Sequence, residues 1–313
     1  MTKIKKLSFV FVGLLMVSLL LMWVGKKDRA ISSVDKNLFA IADTTQITGI
    51  VIQYGGKAIA IQRGDNEWSI NNQHKADPQL IYLSQRILSA VETQRPVSKS
   101  NLETIKKELL ESGRQVTVEL SGGESKHFYA GGNTAKTTAY FGNQDLTKIF
   151  TVAIPGYQSY LSGIFELTLN QWRDRVLFAS SWRTVQHLTV DYADPVLNDL
   201  NIYFDNQFLA VNGVSDLDTT VLMTYLQPLE FFQLNDYLNP GAFPRYDSLL
   251  NVEPIAQISL EDINVTNNRQ LKVYPKIDGQ RFYLLTNAAN EMMVVDEGRM
   301  QRLMAQPVQF QKE

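Results

Sequence analysis

The chain has 313 residues, with 30 Lys and Arg against 32 Asp and Glu; six of those cations and one acid, Asp28, precede Ala30, so the remainder carries about −7. That balance argues against nucleic acid or an anionic lipid surface as the main partner of the remainder. With no cysteine, disulfides, thiolate zinc sites, thiol nucleophiles and lipid-modified cysteine anchors are excluded.

Residues 1–6 form a short basic tail. Leu7 to Gly25 follow without a charge, 19 residues of which 12 are Leu, Val or Phe. As a helix at about 1.5 Å per residue they span roughly 28 Å, the thickness of a bilayer's hydrocarbon core. Their apolar side chains favour insertion by about −4 to −7 kcal/mol. Lys26-Lys27-Asp28-Arg29 stands where a signal peptide would present small residues for cleavage, so the run reads as a retained transmembrane helix. Lys3, Lys5 and Lys6 on one side balance Lys26, Lys27 and Arg29 on the other. Orientation therefore rests on the likeness to an export signal, which predicts an inner-membrane, single-pass protein with its bulk periplasmic or extracytoplasmic.

Residues 26–46 are polar and weakly patterned, and read as a tether. From Ile47 one pattern runs twice, as modules 47–168 and 185–313. In the first, Ile47–Tyr54 alternates as a strand, Gly55-Gly56 marks a tight hairpin, and strands follow at 58–63 and 68–70. Asp77-Pro78 and Ser100-Asn-Leu-Glu103 signal two helix starts. Strands are predicted at 115–120, 126–130, 137–141 and 149–152, with a short helix after Pro155. The second module opens with Val185–Tyr192, which mirrors Ile47–Tyr54 in register, and Asp218 stands where Asp77 does. Pro240, Gly241, Pro244 and Pro254 make 237–254 a loop. The expected fold class is α+β: an N-terminal transmembrane helix, then two similar modules of mostly antiparallel sheet with packed helices, an internal duplication.

The connector, 169–184, contains Trp172, Arg173, Arg175, Trp182 and Arg183. Trp and Arg are favoured at interface hot spots, so these five form the candidate interaction surface. The competing reading is that the Trp rings pack between the halves while the arginines cap or pair locally.

No segment carries recognisable chemistry. Ala130-Gly-Gly-Asn-Thr-Ala-Lys-Thr137 imitates a phosphate loop, but Ala130 and Ala135 occupy two positions that need glycine, and a strand pattern follows instead of a helix. His74, His127 and His187 have no metal-pair spacing. Asp216-x-Asp218 is better explained by Asp218 as a helix cap. No catalytic, cofactor-binding or metal residues are assigned, and no cofactor is implied.

The anchor, the doubled module, Ile154-Pro-Gly-Tyr157, Trp172-Arg-Asp174 and the Ala76-Asp77 helix start after the Trp68 strand resemble an uncharacterised bacterial family of membrane-anchored envelope proteins, a domain of unknown function. Some members occur alongside gliding-type ABC transporter components. The resemblance implies an accessory role and supplies no site residues. The expected function is thus a non-enzymatic, membrane-anchored envelope protein, an accessory or interaction subunit. Its partners would be membrane lipid through Leu7–Gly25 and another envelope or transporter protein. One alternative is a small-molecule or glycan binding module using the groove between the halves; another is a hydrolase with a buried Asp, Glu or His cluster beside an open pocket.

Overall fold

The computed structural model describes residues 15–18 and 35–312. The described part divides into two compact units: residues up to Asn72 together with Pro78–Leu167, and Gln73–Asp77 together with the chain from Thr168 onward.

The first unit is built on a meander. β1 (Ile47–Tyr54) turns through Gly55 and Gly56 into β2 (Lys57–Arg63), followed by β3 (Trp68–Ile70). Tyr54 pairs with Lys57 across the turn, and both glycines have positive φ, +51° and +73°. Such a two-residue hairpin requires this, and glycine adopts it without a Cβ clash. β4 (His74–Lys75) falls in the second unit. Then come α1 (Pro78–Ala90), β5 (Glu92–Pro96), α2 (Lys99–Glu111), β6 (Arg114–Leu120), β7 (Ser125–Gly132), β8 (Ala139–Asn143), β9 (Ile149–Ala153) and a 3-10 turn, Leu161–Glu166. The sheet order within the unit is β3-β2-β1-β6-β7-β8-β9-β5, antiparallel throughout. Alternation along the strands sends Ile50, Ile52, Ile61, Val116 and Phe128 into one core, as the two-residue period of a strand requires. On the opposite face Ile105 and Leu109 of α2 pack with Leu146 and Ile149. A Cβ at Gly131 would collide with Leu109, so glycine there admits the helix.

In the second unit α3 (Leu169–Trp172) and β10 (Val176–Phe178) lead into β11 (Val185–Tyr192), β12 (Leu200–Asp205), β13 (Phe208–Val211), α4 (Thr219–Leu226), β14 (Phe232–Gln233) and β15 (Asp236–Leu238). After α5 (Pro244–Asp247) follow β16 (Ala256–Asp262), β17 (Arg269–Val273), β18 (Phe282–Asn287), β19 (Met292–Asp296) and α6 (Glu297–Leu303). The sheet order is β13-β12-β11-β16-β17-β18-β19-β15. Position for position, this is the order of the first unit. The bulges repeat as well: β1 and β6 slip register between Ile47 and Gly49, and β11 and β16 slip between Val185 and His187. Leu188, Val190, Ile202, Ile258 and Leu260 line the core of this unit. Tyr246 and Leu249 cover a smaller cluster that includes Leu238, Leu284 and Val294.

The α+β expectation is corrected by these elements. The chain is mostly antiparallel sheet with few helices. The helix expected after Pro155 is one 3-10 turn, and 92–96, 176–178 and 236–238 are strands. Hydrogen bonding of β1 to β6 and of β11 to β16 joins the opening hairpin of each unit to its later strands in one continuous sheet. The expected transmembrane helix is not found either: no helix among the described residues is long and apolar enough to cross a membrane. Of Leu7–Gly25 only Leu15–Ser18, which are helical, are described; the rest of that expectation, like the tail 1–6, lies outside the described residues.

Asp35–Gln46, assigned by composition to the tether, packs onto the first unit. Phe39 and Ile41 are buried. The Phe39 ring meets Phe128 and Phe141 at 5.9 and 5.5 Å between centroids, and the Ile41 amide donates to the Leu88 carbonyl at 2.8 Å.

Candidate interaction surface

The five connector residues have distinct surroundings. Trp172 is fully buried and Arg173 nearly so. The Arg173 guanidinium lies 3.6 Å from the centroid of the Tyr237 ring, and its Nη2 donates to Glu291 Oε1 at 2.8 Å. Arg175 donates to the Asn235 carbonyl at 3.4 Å. Trp182 is half-buried against Phe208, centroids 6.1 Å apart, and the exposed Arg183 guanidinium lies 4.5 Å from the Trp182 ring centroid. Only Trp182 and Arg183 therefore come together at an accessible place.

That place is one end of the second unit's sheet. The Ile263 amide donates to the Thr184 carbonyl at 2.8 Å, extending the β11–β16 ladder and setting Ile263 beside the connector. On the other side of β11, Tyr203 pairs with His187, which brings Phe204 level with Gln186. Phe204, Ile263 and Val265 are 47%, 66% and 74% exposed. A lone exposed apolar side chain needs no explanation. Three at the same sheet end as a Trp–Arg pair have the composition of a contact site. The sequence pattern pointed to Trp182 and Arg183; it could not reveal the apolar trio, because strand register alone brings Phe204 and Ile263 to the same end of the sheet, one on each side of β11.

A polar network ties this end together. Asp262 is buried; its Oδ2 accepts from Thr184 Oγ1 at 2.7 Å and its Oδ1 from the Asn264 amide at 2.8 Å. Burial alone would raise the Asp262 pKa, but hydrogen bonds, Thr184 and Asn264 among the donors, outweigh it and hold the carboxyl below its ordinary value. The Asp262 amide donates to Asn268 Oδ1 at 2.9 Å, and Asn267 Nδ2 to the Ala179 carbonyl at 3.2 Å. Arg269 Nε donates to the Leu177 carbonyl at 3.0 Å. The loop bearing Ile263 and Val265 is thereby tied to the connector at several points, which lowers the entropy cost of presenting them to a partner.

A second convergence of titratable groups surrounds Arg173. His74 Nδ1 lies 3.9 Å from Glu291 Oε1, and Asn287 Nδ2 donates to Glu291 Oε2 at 2.8 Å. Burial, then repulsion from Arg173, push the His74 pKa down against the pull of Glu291, which favours neutral imidazole. The cluster borders a cavity of about 400 Å³ lined in part by Tyr237, Arg269 and Glu291. Both Glu291 oxygens are engaged by Arg173 and Asn287, and the Tyr237 hydroxyl donates to the Asp174 carbonyl at 2.9 Å. The arrangement clamps Gln73–Asp77 to the Trp172–Asp174 backbone, where the Asp77 amide donates to the Trp172 carbonyl at 2.9 Å and the Asp174 amide to the Lys75 carbonyl at 2.8 Å.

The remaining candidates have structural roles. His127 bridges Thr117 and Ser125 at 3.0 and 2.8 Å, and His187 meets Asn201 at 2.8 Å. Asp218 caps α4, accepting from the Thr220 and Val221 amides at 2.9 and 3.1 Å. Among the described residues no group of three or more His, Asp or Glu is placed to hold a metal ion. No family model, curated protein or solved structure matches this chain.

Proposed function

We propose that this chain is a non-enzymatic, membrane-anchored protein of the bacterial cell envelope that serves as an accessory or interaction subunit, a transporter complex being the first candidate assembly. The observation that supports this most is the end of the second unit's sheet, which carries Trp182, Arg183, Phe204, Ile263 and Val265. The apolar side chains offer area to bury, about 25 cal/mol per Å², and Arg183 favours an acidic rim on the partner. Membrane attachment is assigned to the uncharged run Leu7–Gly25, on its length and composition.

Capture of the full-length protein from cross-linked membranes tests the reading, with Arg183→Glu and Ile263→Asp as variants. Both side chains are exposed, so circular dichroism should show unchanged folds. One protein partner should accompany the wild type and fall by roughly tenfold in each variant, the loss typical of an interface hot spot. Recovery of the bare protein alone in mild detergent, or a partner yield from both variants equal to that of the wild type, would overturn it.

A further inference from the structure

A groove of about 830 Å³ opens on the first unit, within the range of about 300–1,000 Å³ usual for small-molecule sites. Edge strand β5 contributes Gln94 and Arg95, the β7–β8 turn contributes Lys136 and Thr137, and Tyr157–Tyr160 close the wall. The β5–β9 register slips between Thr93 and Arg95, so Gln94 is the extra residue of a bulge, a device that re-aims side chains. A Cβ on Gly132 would strike the Tyr160 ring and the Thr138 carbonyl; glycine lets that ring lie against the backbone. Lys136 has φ +54°, a left-handed conformation uncommon for a residue with a Cβ.

The electrostatics restrict what can bind. Lys136 Nζ lies 2.7 Å from both oxygens of Glu166, and the Tyr160 hydroxyl donates to Glu166 Oε1 at 2.6 Å, so the lysine charge is already neutralised. Arg95 is exposed and has no carboxylate within salt-bridge distance among the described residues, and no Asp or Glu lines the groove. The amides of Thr137 and Thr138 both donate to Asn133 Oδ1 at 2.9 Å. That side chain sits where a phosphate oxygen would have to sit. One available cation without convergent amides suits a carboxylate better than a phosphate. The remaining lining, among it Gln94, Thr137, Thr151, Gln158 and Ser159, offers donors and acceptors together, as a polyhydroxyl ligand requires. Tyr157, 52% exposed, adds an aromatic surface.

We infer that this groove binds an acidic saccharide, with a sugar ring on Tyr157, its hydroxyls among the amide and hydroxyl side chains, and its carboxylate on Arg95. The site lies wholly in the first unit and does not rest on the function proposed above.

Titration calorimetry of the full-length protein in detergent tests it, with uronic-, sialic- and muramic-acid oligosaccharides, their uncharged counterparts, and inorganic phosphate as probes. At least one acidic oligosaccharide should bind roughly tenfold more tightly than its uncharged counterpart, the scale of one charge-assisted contact. Arg95→Gln should abolish that preference, and Tyr157→Ala should weaken charged and uncharged forms alike. Phosphate should not compete. Failure of every acidic probe to bind, an undiminished preference for the acidic form in Arg95→Gln, or displacement by phosphate at similar concentration would each overturn the assignment. Both substituted side chains are exposed, and an unchanged melting temperature separates a lost contact from a lost fold.

Discussion

At the scale of single residues, a buried carboxylate and a crowded glycine hold the fold. Asp262 stabilises the folded state because its carboxylate is hydrogen-bonded there and solvated in the unfolded chain. Its folded pKa is lowered, so this contribution is complete above the unfolded value of about 3.9 and disappears as pH falls through the folded value. Asp262→Asn should therefore cost about 1.5–3 kcal/mol at pH 7, the worth of hydrogen bonds to a charged group. The deficit should shrink at pH 3. Urea denaturation at the two pH values measures this, and a deficit undiminished at pH 3 would refute the ionic account. Gly132 is as constrained by space: Gly132→Ala drives a Cβ into Tyr160 and Thr138 and should cost about 1–3 kcal/mol. The phosphate-loop look-alike is explained here too, because Gly131 and Gly132 admit Leu109 and Tyr160.

At the scale of elements, local signals were legible where the chain solves its problem locally. Gly55-Gly56 foretold the first hairpin and Asp218 the start of α4. Asp218→Ala removes acceptors for two amides of that helix and should lower stability by about 1 kcal/mol, read as a shift in the urea midpoint at unchanged slope. Other local signals misled. The Ser100–Glu103 capping box lies inside α2, whose N-cap is Ser98 without a side-chain capping bond; Ser98 Oγ instead lies 3.0 Å from Ser100 Oγ. Pro155 foretold a helix where a 3-10 turn forms six residues later. Phe39 and Ile41 were illegible because two apolar residues in a polar stretch make no period; their burial depends on Phe128 and Leu88, distant in sequence.

For the whole molecule, the repeated strand order is the main organising fact, and the matched bulges at Ile47/Gly49 and Val185/His187 give it residue-level detail. Membrane attachment is a separate matter. Deleting residues 1–25 should move the protein from the membrane pellet to the soluble fraction after carbonate washing, while leaving its melting temperature within a few degrees. Retention of the truncated protein in the pellet would contradict attachment through Leu7–Gly25. Two of the five residues at the end of the second unit's sheet were within reach of sequence reasoning. Trp182 and Arg183 stood out by residue type, whereas Trp172 and Arg173 of the same stretch are buried.

By itself the amino-acid sequence determined the strand alternation, the tight turns and the absence of thiol chemistry, because each depends on neighbours within a few residues or on composition. The tertiary structure alone decided that these strands join into two continuous sheets, that part of the apparent tether belongs to a core, and that Phe204, Ile263 and Val265 lie at the same sheet end as Trp182. Those outcomes depend on register between strands far apart in sequence, where a one-residue shift sends every side chain to the other face.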